Sequence, residues 1–291
     1  MNQIVIDARE SGTSTGRYID KLIEHLYAIA PKEEITLLTK EHRIGFFKEL
    51  SPGYTVIPSN HKEFTFDEQL GFLKQLRSLK PRLVHFDPDK IVVTYESADK
   101  IADQAEPFPE LNNKPFLFYV GRPTPHKNLE RLIAAFRLLK PSHPQLTLVL
   151  GGKTDSNYSR IAQGLDSEIA ASVIFTDRLS EGQLRWMYEN CQAYIFPSLS
   201  EGFGLPGLEA MQHGAPVISS KATCLPEVYG SAAAYFDPLD IAAMAKTIAA
   251  VIDDQSARQK LITLGHTQVA RYSWQTMAEQ TLAVYKKVLN S

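Results

Sequence analysis

From Pro115 onward, short apolar runs rich in Val, Ile, Phe and Tyr alternate with stretches of helical period. That alternation confines the chain to a parallel sheet covered by helices, because parallel strands are buried on both faces and need crossover connections. The strand runs are PFLFYV (115–120), QLTLVL (145–150), SVIFT (172–176), AYIFP (193–197), PVISS (216–220) and AAYFD (233–237). Between them, helices are predicted in NLERLIAAFRLLK from Asn128, around Tyr158 to Gly164, in SEGQLRWMYENC from Ser180 and in GLPGLEAMQHG ending at Gly214. Six such strands with their helices complete a doubly wound α/β domain.

The first part of the chain repeats the theme on a smaller scale. IVIDA (4–8), EITLLT (34–39), YTVIP (54–58) and RLVHF (82–86) read as strands, and Gly16 to Ala30 and Phe66 to Lys80 as helices, giving a parallel sheet of about four strands. DPDKIVVTYESADK (87–100) reads as a further strand followed by a polar stretch. EPFPELNNKP (106–115), with three prolines, has the composition of an interdomain linker. The expected organisation is therefore an N-terminal domain over 1–110, a C-terminal domain over 111–272, and a closing helix within 273–291. That helix opens on Ser273 as N-cap, follows the last strand of its domain and is free to pack back on the N-terminal one.

Composition narrows the function classes. With a formal net charge of -2 over 291 residues, no global field gathers nucleic acid or anionic lipid, so any attraction for an anion is local. Cys191 and Cys224 are too few and too far apart to staple a fold or form a metal knuckle, and suit a reducing compartment. The MNQIVIDA start has neither the length nor the flanks of a leader, and no apolar run approaches the ~18 residues of a spanning helix. A cytoplasmic protein is expected.

In an open parallel sheet, ligands bind beyond the C-terminal ends of the strands, so the residues just after each strand carry the candidate chemistry. After PFLFYV comes GRPTPHKN: Gly121 allows a tight turn, Arg122 offers a planar fork of donors, and Lys127 sets a point charge at the mouth of the next helix. Together they describe a phosphate site or, more plainly, a solvated basic turn. After AYIFP comes SLSEGFGLPGLEAM, in which Gly202, Phe203 and Gly204 can turn backbone N–H groups toward a ligand where a helix begins near Leu205. Glu201 stays in the loop and Glu209 lies about a turn into the helix, so both carboxylates can face one cavity. Carboxylates accept hydrogen bonds from vicinal hydroxyls, so a ligand with a diphosphate in the middle and a sugar at each end fits this layout. The alternative is an exposed helix residue at Glu209 and an acid favoured by the helix dipole at Glu201. The DPD of residues 87–89 reads as a turn, and no His, Cys, Asp or Glu cluster has metal-ligand spacing.

SLSEGFGLPGLEAM, GRPTPHKN some eighty residues upstream and the closing YSWQTMAEQTLAVYK together resemble the retaining glycosyltransferases of family 4, also called group 1, over nearly all of Asn113 to Ser291. The Glu, seven residues, Glu spacing is a hallmark of that group. The resemblance implies the GT-B arrangement, two Rossmann-like α/β domains facing across a cleft, and a hexosyltransferase using a nucleoside-diphosphate sugar without a metal or other cofactor. It gives Arg122 and Lys127 the donor diphosphate, Glu201 the hydroxyls of the transferred sugar, Phe203 and Gly204 backbone contacts, and Glu209 the ribose hydroxyls. Arg178 and Leu179, in TDRLS (176–180), fall where the base is held. The family's glycine loop after the first strand falls on Gly12 and Gly16.

The resemblance also implies a shortened N-terminal domain. Family members continue after the RLVHF-like strand through more strands and helices, whereas here Phe86 passes almost directly to Asp87 and Lys90. On the order of ninety residues are missing against a usual domain of about 150, and with them a histidine-aspartate pair on the acceptor side. His85 belongs to an earlier strand and reads as a strand-end residue. The expected function is transfer of a hexose, of mannose or glucose type, to a glycan or lipid-linked acceptor. The alternative is a nucleotide-sugar-binding module or inactive remnant. An exposed sheet edge leaves homodimerisation open, and Arg43 and Lys48, diluted by Glu41 and Glu49, leave peripheral membrane contact open.

Overall fold

The chain divides into two units, one formed by residues 1–96 with 272–291 and the other by residues 97–271. The computed structural model describes residues 4–13, 16–61, 71–79, 83–84, 93–111 and 114–290. His85, Phe86, the DPD turn and the first residues of the Phe66 helix lie outside them.

In the first unit, β1 (Ile4–Asp7), α1 (Arg17–Ile29), β2 (Ile35–Thr39), α2 (Ile44–Leu50), β3 (Thr55–Pro58), α3 (Leu73–Leu79) and β4 (Leu83–Val84) follow in order. In the second come β5 (Phe116–Val120), α4 (Leu129–Leu139), β6 (Thr147–Gly151), α5 (Ser156–Gln163), α6 (Ser167–Ala170), β7 (Val173–Phe175), α7 (Glu181–Asn190), β8 (Ala193–Phe196), α8 (Leu205–Gln212), β9 (Val217–Ser220), α9 (Leu225–Tyr229), β10 (Ala233–Phe236), α10 (Ile241–Ile252) and α11 (Gln255–Val269). The last helix, α12 (Trp274–Leu289), belongs to the first unit.

Both sheets are parallel throughout, with orders β3-β2-β1-β4 and β10-β9-β8-β5-β6-β7. Each is therefore doubly wound about a point where the strand order reverses, between β1 and β4 in the smaller sheet and between β5 and β8 in the larger. The strands β6, β8 and β9 are buried along their whole length, which is why none shows an alternation of apolar and charged residues; Thr147, Ser219 and Ser220 are buried with the rest.

The helix α12 forms because Ser273 caps it, accepting from the Thr276 N–H, and because Trp274, Met277, Ala278, Thr281, Leu282 and Tyr285 recur at helical spacing. That stripe lies in the same core as Leu22, Ile23 and Leu26 of α1 and Ile4 and Ile6 of β1. Helices α2, α6, α9, α10 and α11 are additions to the pattern read from the sequence. Both α10 and α11 start on aspartates, Asp240 and Asp254, whose carboxylates accept first-turn N–H groups.

Of the stretch read as a strand and a polar tail in DPDKIVVTYESADK (87–100), residues 87–92 lie outside the described residues, and residues 93–100 carry no strand. Their side chains find partners on and just before α12. Thr281 donates to Thr94 at 3.5 Å, and Tyr95 meets Tyr272 edge to face. The chain also changes unit at 96–97, upstream of the boundary expected at residue 110. The physical reason is that the proline-rich connector is tied to the second unit. The Glu106 N–H donates to Gly182 O at 3.0 Å, Ser180 Oγ to Glu106 Oε2 at 2.8 Å and Arg185 Nη1 to Asp103 O at 3.0 Å. The Ile101 N–H donates to His213 Nε2 at 3.1 Å. Extended backbone that cannot pair in a sheet is here satisfied by α7 and by an imidazole.

Two expectations follow from this packing. Met277→Ala should destabilise the first unit by about 2–4 kcal/mol, because Met277 is buried in its core, whereas exposed Gln275→Ala should cost under about 0.5 kcal/mol; urea unfolding of both variants checks this. The second concerns pH. His213 accepts from Ile101 only when Nε2 is unprotonated, and burial holds its imidazole below the ordinary 6.5, with Glu189 opposing and Arg185 and Lys100 reinforcing the shift. The neutral form is thus favoured in the folded state, so the clamp is complete above the unfolded value and lost as pH falls through the lower, folded one. Amide hydrogen exchange at Ile101, corrected for intrinsic rates, should accelerate on going from about pH 7.5 to about pH 5, and that extra acceleration should be absent in His213→Gln.

Candidate active site

The larger sheet reverses direction between β5 and β8, and the loops leaving these two strands meet. Lys127 Nζ lies 2.6 Å from Glu201 Oε1, with both side chains largely withdrawn from solvent. The ammonium also lies 5.7 Å from the centroid of the Phe196 ring at the end of β8. The sequence reading put the cation under the diphosphate and the acid beyond it; the structure pairs them directly. A lysine has three donors, so the pair leaves two for phosphate oxygens.

The Lys127 loop is set by Asn128, which has φ 62° in the left-handed region and is buried at 4% exposure. Its Nδ2 donates to Pro197 O at 3.0 Å and to Pro238 O at 2.8 Å, tying the start of α4 to the ends of β8 and β10. A short residue with a hydrogen-bonding amide tolerates this conformation better than most. Arg122 sits on the same loop with an exposed side chain, and no acid among the described residues pairs with it. Its position after β5, beside Gly121, leaves the guanidinium available to an anion arriving at the switch point.

Glu201 is held by its backbone. Its N–H donates to Thr223 Oγ1 at 3.1 Å, and its carbonyl accepts from Thr223 Oγ1 at 3.2 Å and from Cys224 Sγ at 3.3 Å. Thr223 and Cys224 precede α9 and carry no local sign of this role; Thr223 adopts φ 47° where it makes the contact. Burial, with smaller contributions from neighbouring acids, holds the Cys224 thiol above its ordinary value, so it acts as a donor.

Helix α8 begins at Leu205. Gly204, its N-cap, has φ 94°, and its carbonyl accepts from Tyr229 Oη at 2.6 Å. Burial, then the Glu201 carboxylate, pushes the Tyr229 phenol well up, keeping it a donor. Among the described residues no acceptor takes the N–H groups of Gly202, Gly204 or Leu205, leaving them for a ligand at the helix N-terminus. Phe203 is half-buried on the same turn. Glu209, in the second turn, receives a hydrogen bond from Tyr188 Oη of α7 at 3.3 Å.

The remaining candidates are more scattered. Arg178 is exposed after β7, two strands from β5, and Leu179 covers the end of β6, where a Cβ built on Gly151 would lie 3.3 Å from Leu179 Cδ1. Gly12 and Gly16 belong to the first unit. There Asp20 accepts from Ser11 Oγ at 2.5 Å and from the Gly12 N–H at 3.2 Å, and pairs with Arg43 at 3.3 Å. Gly16 is dictated by space: a Cβ would lie 1.8 Å from Glu10 O. Among the described residues no group of three or more His, Cys, Asp or Glu could hold a metal, and no helix is long and apolar enough to cross a membrane.

The glycines of the SEGFG turn should behave differently. A Cβ on Gly204 would lie 2.4 Å from Tyr229 Oη and carry an unfavourable φ, so Gly204→Ala should cost about 1–3 kcal/mol in thermal or urea unfolding. A Cβ on Gly202 meets nothing within 4 Å, so Gly202→Ala should leave stability within about 0.5 kcal/mol.

Comparison with known proteins accounts for this arrangement. The model of the family described as glycosyl transferases group 1 matches residues 100–267. O-antigen chain mannosyltransferase B of Escherichia coli is 31% identical over 218 residues, which are 70% of this chain and 56% of that protein. The serotype-specific mannosyltransferase WbdA of Escherichia coli is 33% identical over 180 residues, 60% of this chain and 22% of that one. The chain thus matches little more than half the length of the first and under a quarter of the second. Among solved structures, sucrose-phosphate synthase from Thermosynechococcus elongatus superposes with a TM-score of 0.76 at 18% identity, covering 100% of both chains. HepE from Anabaena, in complex with UDP and glucose, gives 0.70 at 15% identity over 99% of this chain and 100% of that one. These last likenesses are of fold, an α/β fold of parallel sheets and helices close to GT-B enzymes. The family match spans more than half of the sequence and takes in both loops that meet at the switch point, and this chain belongs to the glycosyl transferases group 1.

Proposed function

We propose that this protein transfers a hexosyl group, of mannose or glucose type, from a nucleoside-diphosphate sugar to a glycan or lipid-linked acceptor with retention at the anomeric carbon. The observation that carries the reading is the Lys127–Glu201 pair at the β5/β8 switch point, with Arg122 exposed beside it and free N–H groups at the start of α8. Support for the sugar comes from the two mannosyltransferases among the relatives.

The chemistry follows from charge. As the bond from the anomeric carbon to the diphosphate oxygen lengthens, negative charge grows on the diphosphate and positive charge on the sugar ring. Lys127, Arg122 and the α8 N-terminus stabilise the first without reorganising. Glu201, drawn to Lys127 in the free protein, lies where it can accept from hydroxyls of the departing sugar. Glu209 accepts from the ribose, and Arg178 and Leu179 flank the base. This set of partners needs no metal to neutralise the leaving group.

The second reading, a module that binds nucleotide sugar without transferring it, draws on the 56% of the mannosyltransferase B length that the chain matches. Turnover separates the two. Incubated with a panel of UDP-, GDP- and ADP-hexoses, the protein should release nucleoside diphosphate from at least one, and both Lys127→Gln and Glu201→Gln should lower that rate by about 100-fold or more, as loss of a preorganised charge partner does. Tight binding with neither hydrolysis nor transfer would favour the module, and unchanged rates in both variants would contradict the proposed site.

A further inference from the structure

Glu209 is a flexible carboxylate in the second turn of an eight-residue helix, and a carboxylate orients a diol only if its own rotamer is fixed. What fixes it lies on another element. Tyr188, on α7, is fully buried, and its phenol donates to Glu209 Oε2 at 3.3 Å. The ring cannot swing away. It is packed edge to face against Phe118 at 5.4 Å and Tyr194 at 5.5 Å, and it stacks on the His213 imidazole, with centroids 5.9 Å apart and planes 7° from parallel. His213 is in turn fixed by the Ile101 N–H of the connector. A buried tyrosine generally finds a partner for its hydroxyl, and one clamped on three sides delivers that hydroxyl to a fixed point.

We propose that Tyr188 is a positioning residue for nucleotide recognition, holding the Glu209 carboxylate in the orientation that accepts from the two ribose hydroxyls. This rests on the reading that Glu209 binds the ribose. Tyr188 itself touches no ligand; its effect passes through Glu209, and the geometry makes it specific to ligands that carry vicinal hydroxyls.

The test is calorimetric. The nucleoside diphosphate that binds most tightly among UDP, GDP and ADP is titrated, with its 2′,3′-dideoxy analogue, into wild type, Tyr188→Phe, Glu209→Gln and the double variant. Tyr188→Phe keeps the packed ring and removes only the hydroxyl. It should weaken the ribose ligand about three- to tenfold, the range of one charge-assisted hydrogen bond acting indirectly, and leave the dideoxy ligand unchanged. In the Glu209→Gln background it should add nothing. Equal loss for both ligands would assign Tyr188 a general packing role and overturn the proposal. So would full ribose affinity in Tyr188→Phe while Glu209→Gln is weakened. If Glu209→Gln binds the ribose ligand as wild type does, the ribose reading itself falls, and the proposal with it.

Discussion

The second unit is organised around an ion pair that neither of its strands could make alone. Lys127 follows β5 and Glu201 follows β8, and they meet because the chain winds first to one side of β5, through β6 and β7, and then returns to lay β8 on the other. Two charges this far withdrawn from water stabilise each other only in good geometry, and removing one partner leaves the other costly to bury. The free protein therefore holds a cation and an anion at contact distance at the switch point of its larger sheet. Under the proposed function, an incoming diphosphate would share the ammonium with Glu201, and the carboxylate would be on hand for the sugar.

Around this pair, tyrosines do for the loops what glycines permit. Tyr158 donates to the carbonyls of Gly121 and Gly151, and Tyr229 to that of Gly204. Tyrosine hydroxyls also fill the space a side chain would need: a Cβ on Gly121 would lie 2.6 Å from Tyr119 Oη, and one on Gly207, inside α8, 2.3 Å from Tyr229 Oη. Burial keeps these phenols protonated and donating. Glycine is thus required by the protein's own interior at Gly121, Gly204 and Gly207. Gly202 alone of the SEGFG glycines faces open space, which leaves it for a ligand.

Much of this was legible in the sequence, for stated reasons. Short runs rich in Val, Ile, Leu and Phe marked β6, β8 and β9 because buried parallel strands have no solvent face, and the Glu201 and Glu209 spacing marked the turn into α8. Local pattern failed where partners are distant. KIVVTY has the composition of a strand, yet in its described part Thr94 hydrogen-bonds to Tyr18 of α1 and Thr281 of α12. Nothing local reveals that α7 and its N-cap bond to Asp103 and Glu106, or that His213 bonds to Ile101, at the entry to the proline-rich segment read as an interdomain linker. Thr223, Cys224 and Tyr188, which hold the two acids, lie 21 to 23 residues from them and carry no motif of their own. Charge type was readable and charge pairing was not: a list of residues gives a cation and an acid, and only the winding order of the sheet makes them neighbours.

The most direct measurement is a crystal structure of the protein with an unhydrolysed nucleoside-diphosphate sugar bound. The account requires the diphosphate at the C-terminal ends of β5 and β8, within hydrogen-bond reach of Lys127 Nζ and the Arg122 guanidinium, with Glu201 turned toward the sugar and Glu209 toward the ribose. A diphosphate bound elsewhere, with the Lys127–Glu201 pair undisturbed, would contradict it.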